Sequence, residues 1–357
     1  MQLAAYCQQS NLCKMIRIGI VCPSEIAFRR FMPALQKCEG LKYIGIAYSL
    51  PQEWFGDKIA TVSPDDIEAM KVRELSKAQN FQNTYGGEIF EGYENIIKSE
   101  AIDAVYIPLP PALHYRWAKL ALENGKHVFV EKPSTTCFAE TSDLVEVARQ
   151  HKLGIHENYM FIYHNQLEAL QEVVKNETIG DVCLYRISFG FPMRASSDFR
   201  YNKALGGGAL LDAGGYTIKY ACYLLGETAR MLCASKQYID GFDVEMGGTA
   251  TMINDKGVCA QLAFGMNNDY KCSIEIWGSK GTITSERILT APEGFVPEYT
   301  LKQNQDYSTH KLPADDSFLK SMKVFKNCVE QEEVRKAEYE VLLTQERFID
   351  EFQKLSE

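Results

Sequence analysis

The sequence predicts an α/β chain: a doubly wound parallel sheet followed by a second α/β part with an open, mainly antiparallel sheet. Short β-branched runs alternate with amphipathic stretches from residue 15 to about residue 158, at the spacing of βαβ units. From residue 159 onward, long runs of alternating polarity follow one another with few helical stretches, as antiparallel strands do. The length of 357 residues is sufficient for two hydrophobic cores.

The first part is expected to contain five strands and five helices. Strands are expected at residues 15–21, 42–48, 101–107, 126–130 and 154–159. Helices are expected at residues 24–37, 65–79, 92–99, 113–124 and 138–151. Pro33 lies inside the first of these helices, so it should kink that helix or end it early.

The second part begins with a helix and continues as a sheet. The helix is expected at residues 165–176, and a long charged amphipathic helix at residues 331–357 closes the chain. Strands are expected at residues 182–191, 230–238, 248–254, 257–265 and 270–278. The turn-rich sequence at residues 254–257 predicts a hairpin between the third and fourth of these strands.

Composition and charge exclude several classes of partner. The chain carries 38 Lys and Arg against 47 Asp and Glu, a net charge of −9, and has no basic run, so we expect no nucleic-acid partner. No stretch approaches the roughly 20 apolar residues of a membrane span, so we expect no membrane partner. The eleven cysteines are scattered without a Cys-x-x-Cys pair, which favours reduced thiols in a cytoplasmic protein. Residues 1–14 lack the pattern of a secretory signal and are expected to be a flexible extension.

The first strand-to-helix turn is where a dinucleotide would bind in such a fold. It supplies Gly19 but not the other two glycines of the usual fingerprint, so it is a cofactor loop or a plain turn. The second strand ends at Tyr48 and Ser49, which offer neither an acid for the ribose nor a base for an extra phosphate. The sequence therefore leaves the choice between NAD and NADP open.

Two clusters of residues could carry chemistry. Glu131 and Lys132 follow a central strand, where open α/β sheets bind ligands, although a lysine at a strand end can also simply face solvent. Asp212 and Tyr216 are one helical turn apart and form either a proton donor with an orienting carboxylate or a buried tyrosine beside a capping aspartate. The adjacent glycines at 214–215 are costly inside a helix, so something should approach that backbone closely.

These segments, in this order, resemble the Gfo/Idh/MocA oxidoreductase family of NAD(P)-dependent sugar and cyclitol dehydrogenases. The resemblance lies in residues 107–114 (IPLPPALH), 125–133 (GKHVFVEKP) and 206–216 (GGGALLDAGGY), and it extends over almost the whole chain from Met15. It implies a Rossmann domain at residues 15–158 and a substrate and oligomerisation domain at residues 159–357. It also implies a homodimer or homotetramer.

The same resemblance implies roles for individual residues. Lys132, Asp212 and Tyr216 would be catalytic, with Lys132 touching both nicotinamide and the reacting oxygen. The cofactor, NADP or NAD, would contact Gly19, Ser24, Glu25, Ile26, Tyr48, Leu109, Pro110, His114, Glu131 and Lys132. The substrate would contact Lys132, Tyr159, Arg200, Asp212 and Tyr216. No metal is expected, because the histidines show no ligand spacing apart from that of His151 and His156, which span a strand start.

The expected function is hydride transfer between nicotinamide and a carbohydrate. Free, phosphorylated and nucleotide-linked carbohydrates are all open as substrates. Tyr216 stands where many family members have a catalytic histidine; a neutral phenol suits proton donation, which favours keto-sugar reduction over hydroxyl oxidation. Cys22 and Ser24 replace later glycines of the cofactor loop. Two alternatives therefore stay open: a non-catalytic sensor or assembly subunit that binds sugar or cofactor, and an enzyme that uses tightly bound NAD for a transient oxidation.

Overall fold

The first sheet has six parallel strands. The computed structural model describes residues 15–56, 59 and 62–357, so the extension expected at residues 1–14 lies outside the described residues. The strands are β1 (Ile16–Ile20), β2 (Leu41–Tyr48), β3 (Glu88–Glu91), β4 (Ala104–Ile107), β5 (His127–Val130) and β6 (Ile155–Glu157). Their order is β3-β2-β1-β4-β5-β6. The order reverses between β1 and β4, so the loops that follow these strands part and open a crevice at the carboxyl edge.

Helices cover both faces of this sheet. They are α1 (Met32–Lys37), α2 (Pro51–Phe55), α3 (Pro64–Tyr85), α4 (Tyr93–Lys98), α5 (Pro111–Glu123) and α6 (Phe138–His151). One apolar core surrounds Trp117 and the other surrounds Phe31, which stacks on Tyr106 with ring centroids 3.7 Å apart. The helix expected at residues 24–37 is not regular: a π-helical turn, Ala27–Phe31, precedes α1, and Pro33 stands in the first turn of α1, where proline is tolerated.

The second sheet has eight strands and is mainly antiparallel. The strands are β7 (Val182–Gly190), β8 (Arg230–Gln237), β9 (Gly247–Ile253), β10 (Cys259–Gly265), β11 (Lys271–Gly278), β12 (Thr282–Glu286), β13 (Glu298–Gln303) and β14 (Asp306–Lys311). Their order is β14-β13-β12-β11-β7-β10-β9-β8, and only β7 and β10 run parallel. β9 and β10 form the expected hairpin, with Thr249 opposite Ala263. The predicted fold class is confirmed.

Four further α-helices follow in the second part of the chain. They are α7 (Asn165–Lys175), α8 (Gly215–Leu225), α9 (Ser317–Glu330) and α10 (Glu332–Leu355). α10 joins the two sheets: Tyr339 donates a hydrogen bond to the Leu153 carbonyl (2.5 Å), while Phe352 packs on Phe264. The domain boundary between residues 158 and 159 stays a prediction, because this helix packs on both sides of it. None of the described helices is long and apolar enough to cross a bilayer.

Candidate active site

The crevice at the carboxyl edge of the first sheet is a cavity of about 770 Å³. Its floor is formed by the loops after β1, β4 and β5, and its far wall by residues 194–212 of the second part. Nine of the predicted site residues line it: Ser24, Glu25, Ile26, Leu109, Pro110, Glu131, Lys132, Arg200 and Asp212. The volume lies within the range of small-molecule sites.

Lys132 and Asp212 meet in this crevice although 80 residues separate them in the chain. The Lys132 ammonium donates to Asp212 Oδ1 (2.7 Å) and to the Asp212 carbonyl (2.9 Å). Only 14% of the Lys132 side chain and 12% of the Asp212 side chain are exposed, so the pair is shielded from water. The ammonium is therefore fixed at one point on the crevice wall.

Arg200 holds the other oxygen of the same carboxylate. Its Nε donates to Asp212 Oδ2 (2.7 Å), and its Nη1 donates to Asp198 (3.1 Å). Burial alone would raise the pKa of Asp212, but the charges and hydrogen bonds of Lys132 and Arg200 outweigh it and hold that pKa well below its usual range. Because both oxygens are engaged and the group stays ionised, Asp212 is suited to holding Lys132 rather than to exchanging protons.

Tyr216 lies beside this ion pair but outside the lining of the crevice. Its ring faces the Lys132 ammonium, which is 5.1 Å from the ring centroid. Burial, with the nearby charges of Glu131 and Asp212, raises the pKa of Tyr216 well above its ordinary value. The phenol is therefore neutral across the physiological range and can donate a proton.

The helix turn that carries these residues has an unusual backbone. A π-helical turn, Leu210–Gly214, runs directly into α8. The close approach expected at residues 214–215 is present: a Cβ on Gly215 would lie 2.0 Å from the Tyr159 hydroxyl, and one on Gly214 would lie 2.9 Å from Phe264. Gln345 donates to the Gly215 carbonyl (2.9 Å), and Thr217 donates to the Gly214 carbonyl. The two glycines therefore allow α8 to sit directly on these side chains.

Glu131 forms the floor of the crevice next to Lys132. It accepts hydrogen bonds at Oε1 from the Tyr106 hydroxyl (2.6 Å) and from the Asn158 amide (2.8 Å). Burial raises its pKa, and the two donors and Lys132 partly oppose that rise. Glu131 is thus a rigid, buried acceptor that fixes the strand end from which Lys132 projects.

The first strand-to-helix turn fits the diphosphate of a dinucleotide. Ser24 caps the helix by accepting from the Ala27 amide (3.2 Å), and the first amides of such a helix have no partner within it. Burial raises the pKa of Cys22 to about 11, so the residue in place of the second glycine is a neutral thiol that leaves the electrostatics of the turn unchanged. The residues of this turn and of the first helical turn after it would hold the diphosphate.

Four predicted contact residues other than Tyr216 do not line the crevice. Gly19 is inside β1, where a Cβ would lie 2.8 Å from Ile96, and Tyr48 is half-buried at the end of β2. Both ring nitrogens of His114 lie 2.7 Å from carbonyl oxygens, those of Pro133 and Leu109. The residues not in the lining are Gly19, Tyr48, His114 and Tyr159.

His114 and Tyr159 support the crevice from behind. Burial lowers the pKa of His114 to about 4, so a neutral ring bridges the loop before α5 and the loop that carries Lys132, donating to one carbonyl at a time. Tyr159 packs edge-on against Tyr216, with ring centroids 5.1 Å apart. Direct contact of either residue with cofactor or substrate finds no support in this placement.

Sequence reasoning missed several basic and aromatic residues that line the crevice. They are Arg29, Arg30, Trp54, Lys77, Arg194 and Phe199. The two adjacent arginines after the first turn were a usable signal, since arginine side chains next to a cofactor turn can pair with phosphate groups. Within the described residues, no group of three or more His, Cys, Asp or Glu could hold a metal ion.

Comparison with known proteins agrees with this geometry. Residues 42–159 match the family model described as an oxidoreductase family with an NAD-binding Rossmann fold, and residues 167–284 match the GFO/IDH/MocA C-terminal domain. The chain is 34% identical to a dTDP-3,4-didehydro-2,6-dideoxy-alpha-D-glucose 3-reductase of Actinomadura kijaniata, over 88% of this chain and 87% of that protein. It is 31% identical to a reductase of the same name from Saccharopolyspora spinosa, over 87% of each chain.

Comparison with solved structures also finds similar sugar oxidoreductases. A 3-ketoreductase from Actinomadura kijaniata, crystallised with NADP and TDP-benzene, superposes with a TM-score of 0.85 at 32% identity, covering 96% of this chain and 98% of that one. An aldose-aldose oxidoreductase from Caulobacter crescentus, at 18% identity and a TM-score of 0.77 over 96% and 98% of the two chains, shares the fold. The chain therefore belongs to the Gfo/Idh/MocA family and is, as predicted, an NAD(P)-dependent sugar oxidoreductase.

Proposed function

We propose that the enzyme reduces the ketone of a nucleotide-linked deoxysugar with NADPH. The carbohydrate class follows from the family, whereas the nucleotide, the direction and NADPH are the proposal. Similar chains are named as reductases of a dTDP-linked keto-sugar. One observation in this chain carries the proposal: Lys132 is clamped at 2.7 Å by Asp212 and faces the neutral phenol of Tyr216.

The ion pair that fixes Lys132 to Asp212 explains how Lys132 and Tyr216 would assist reduction. A nicotinamide cofactor held by the turn at Ser24 and the strand end at Lys132 would supply the hydride that converts the carbonyl group into an alkoxide. Lys132 places a fixed positive charge beside that oxygen, which stabilises the developing negative charge. Tyr216 gives the oxygen its phenolic proton, so the ketone becomes an alcohol, and the phenolate regains a proton from water.

Basic residues in the crevice suit phosphorylated ligands. Arg29, Arg30 and Lys77 line the side next to the cofactor turn, where an extra ribose phosphate would need positive charge. Arg194 lines the opposite side, near Arg200, and is placed to meet the diphosphate of a nucleotide-linked substrate. Carboxylates line the crevice as well, and Glu25 pairs with Arg29 while Glu74 pairs with Lys77, so the proposal rests on individual basic side chains that can contact phosphate and not on an overall positive crevice.

Steady-state kinetics would test this function. NADPH oxidation is followed with a dTDP-linked 3-keto-deoxysugar in the wild type, Lys132→Met and Tyr216→Phe, with Lys175→Met on the exposed surface of α7 as a control. We expect kcat to fall by at least about 100-fold in the first two variants and to stay unchanged in the control. Wild-type enzyme that oxidises no NADPH with this substrate would contradict the proposal, as would a Lys132→Met enzyme with full activity.

Location and assembly complete the proposal. The nine cysteines of the described residues are all unpaired, which supports a reducing cytoplasmic location. The outer face of the second sheet carries Trp277, which is half exposed, with the Arg186 guanidinium 5.9 Å from its ring centroid. Tryptophan and arginine are enriched at protein interfaces, which supports a homodimer or homotetramer formed through that face.

A further inference from the structure

A series of buried polar side chains connects α10 with the floor of the crevice, and we call it the interior network. Its five members come from separate elements of the fold. In order, they are Glu338 on α10, His156 on β6, Ser321 on α9, Asn158 directly after β6, and Glu131 directly after β5. Of these five residues only Glu131 lines the crevice, so the other four act on the reaction, if at all, through Glu131.

Successive members of the interior network are in hydrogen-bond contact. His156 Nδ1 lies 2.5 Å from Glu338 Oε2, and His156 Nε2 lies 2.8 Å from Ser321 Oγ. Ser321 Oγ donates to Asn158 Oδ1 (2.9 Å), and Asn158 Nδ2 donates to Glu131 Oε1 (2.8 Å). His156, Ser321 and Asn158 are fully buried, so bulk water does not compete for these contacts.

The donors and acceptors give the network one direction. Glu131 Oε1 accepts from the Tyr106 hydroxyl (2.6 Å) and from Asn158, so the Asn158 amide nitrogen faces this carboxylate. The Asn158 carbonyl oxygen then faces Ser321, which has a single hydroxyl hydrogen to donate. Because that hydrogen goes to Asn158, Ser321 must accept from His156, whose Nε2 therefore carries a hydrogen.

Glu338 holds the far end of the network. A hydrogen lies between His156 Nδ1 and Glu338 Oε2, because two bare acceptor atoms 2.5 Å apart would repel each other. Burial alone would raise the pKa of Glu338, but the charge and hydrogen bond of His156 outweigh it and lower that pKa. Both ring nitrogens of His156 are thus engaged, and the ring cannot turn without breaking a contact.

Glu131 connects the interior network with the reacting groups. Its two donors hold the carboxylate at the strand end from which Lys132 projects. After burial, the charge of Glu131 is the next cause of the raised pKa of Tyr216. A change in how Glu131 is held would therefore affect both the cation and the proton donor of the proposed reduction.

We propose that Ser321 and Asn158 are positioning residues for the reduction, because they hold Glu131, and through it Lys132, in the geometry that stabilises the alkoxide. Misplacement of a reacting group by about 1 Å can cost about 100-fold in rate, so partial release of Glu131 should lower kcat by a smaller factor. The kinetic part of this inference rests on the proposed function. The direction of the hydrogen bonds does not, and it can be measured separately.

Steady-state kinetics with NADPH and a dTDP-linked 3-keto-deoxysugar would test the positioning. Ser321→Ala removes the central hydroxyl and leaves Asn158 Oδ1 and His156 Nε2 unpaired. Ser285→Ala is the matched control, because Ser285 is also buried and donates one hydrogen bond, to the Glu298 carbonyl (2.8 Å). We expect kcat to fall at least about fivefold in Ser321→Ala, with both KM values within about twofold of the wild type, and Ser285→Ala to keep wild-type kinetics.

A double-mutant cycle separates positioning from a general loss of structure. If Ser321 acts through Glu131, Ser321→Ala should change kcat by less than about twofold in the Glu131→Gln background. Ser321→Thr keeps the hydroxyl and should restore most of kcat; if urea unfolding shows that it does not fold, the cycle alone decides. Additive effects of the two substitutions on kcat, or a kcat that Ser321→Ala leaves unchanged, would overturn the proposal.

NMR of protein labelled with ¹⁵N-histidine measures the direction of the network without any turnover. We expect His156 Nε2 to carry a hydrogen near neutral pH, its signals being assigned from their change in Ser321→Ala. A bare Nε2 would overturn the proposal, because Ser321 would then have to donate to His156 instead of Asn158. If the wild type does not reduce the substrate, the proposed function fails, and the His156 spectrum by itself decides the inference.

Discussion

At the scale of single residues, the central feature is a carboxylate with two cations. Asp212 is shared by Lys132 and Arg200, each at 2.7 Å, in a place that water scarcely reaches. This arrangement makes the three residues one unit, in which Asp212 fixes Lys132 and Arg200 fixes Asp212. Substitution of any of them should therefore affect both the reaction and the stability of the fold.

The pH dependence of the reduction should reflect a neutral phenol. The pKa of Tyr216 is raised by burial, so its proton is still present when the pH rises past the range where a histidine would lose one. We expect kcat for reduction to be flat between about pH 6 and about pH 9. A kcat that falls steadily from about pH 6 upward would show that a group with a lower pKa donates the proton.

Asp212→Asn should destabilise the protein, because it leaves Lys132 and Arg200 buried without their carboxylate. We expect the free energy of unfolding in urea to drop by about 3–5 kcal/mol at pH 7. The pKa of Asp212 is lowered by folding, so its contribution is present above the unfolded value of about 4 and is lost as the pH falls through the lowered value.

The difference between the wild type and Asp212→Asn should therefore be constant down to about pH 5 and shrink below about pH 4. Asp240→Asn, at an exposed position, is the control and should change stability by less than about 0.5 kcal/mol. A loss of similar size in both variants would show that the ion pairs contribute little.

At the scale of elements, sequence patterns predicted the regular parts and missed the irregular ones. The helix at residues 138–151 and the β9–β10 hairpin match, because apolar periodicity and turn residues are strong there. The helix α2 and the strands β3, β12, β13 and β14 were not predicted. β3 and the fully exposed β14 have no apolar alternation, and β12 is only five residues long. α9 was also missed, although Asp316 caps it.

The candidate site was predictable only in part, because local sequence patterns identify single residues but not which segments meet in the fold. Motifs identified Lys132, Asp212 and Tyr216, because each lies in a recognisable segment. The pairing of Lys132 with Asp212 joins two segments 80 residues apart, and no local pattern specifies which face of each meets the other. The same holds for Tyr159, whose position below Gly215 depends on how α8 packs.

Gly215→Ala tests that packing. A Cβ there would lie 2.0 Å from the Tyr159 hydroxyl, so we expect a loss of about 1–3 kcal/mol in the free energy of unfolding, measured with urea. Tyr159→Phe removes the oxygen that clashes, so it should restore part of the loss in the double variant. Strictly additive effects of the two substitutions would contradict the contact.

At the scale of the whole molecule, the two sheets are arranged so that one crevice opens between the first sheet and the second part, lined by basic and acidic side chains together. The loops of the first sheet and residues 194–212 of the second part face each other across it, and α10 packs on both parts. The second sheet leaves its outer face open, with Trp277 half exposed. We propose that the reaction takes place in the crevice and that the subunits associate through the open face of the second sheet.

Trp277→Glu tests the assembly. Placing a charge on the open face should convert a dimer or tetramer into smaller species, measured as mass by light scattering, because a buried unpaired carboxylate is costly at an interface. Val72→Glu on α3 is the control and should leave the mass unchanged. A wild-type monomer, or an unchanged mass for Trp277→Glu, would contradict assembly through this face.

The most direct test of the account follows the transferred hydrogen itself. NADPH deuterated at nicotinamide C4 is incubated with the enzyme and a dTDP-linked 3-keto-deoxysugar, and the sugar product is analysed by mass spectrometry and NMR. The account predicts one deuterium on the former carbonyl carbon in the wild type and almost no product with Lys132→Met. A product without deuterium, or no product from the wild type, would contradict it.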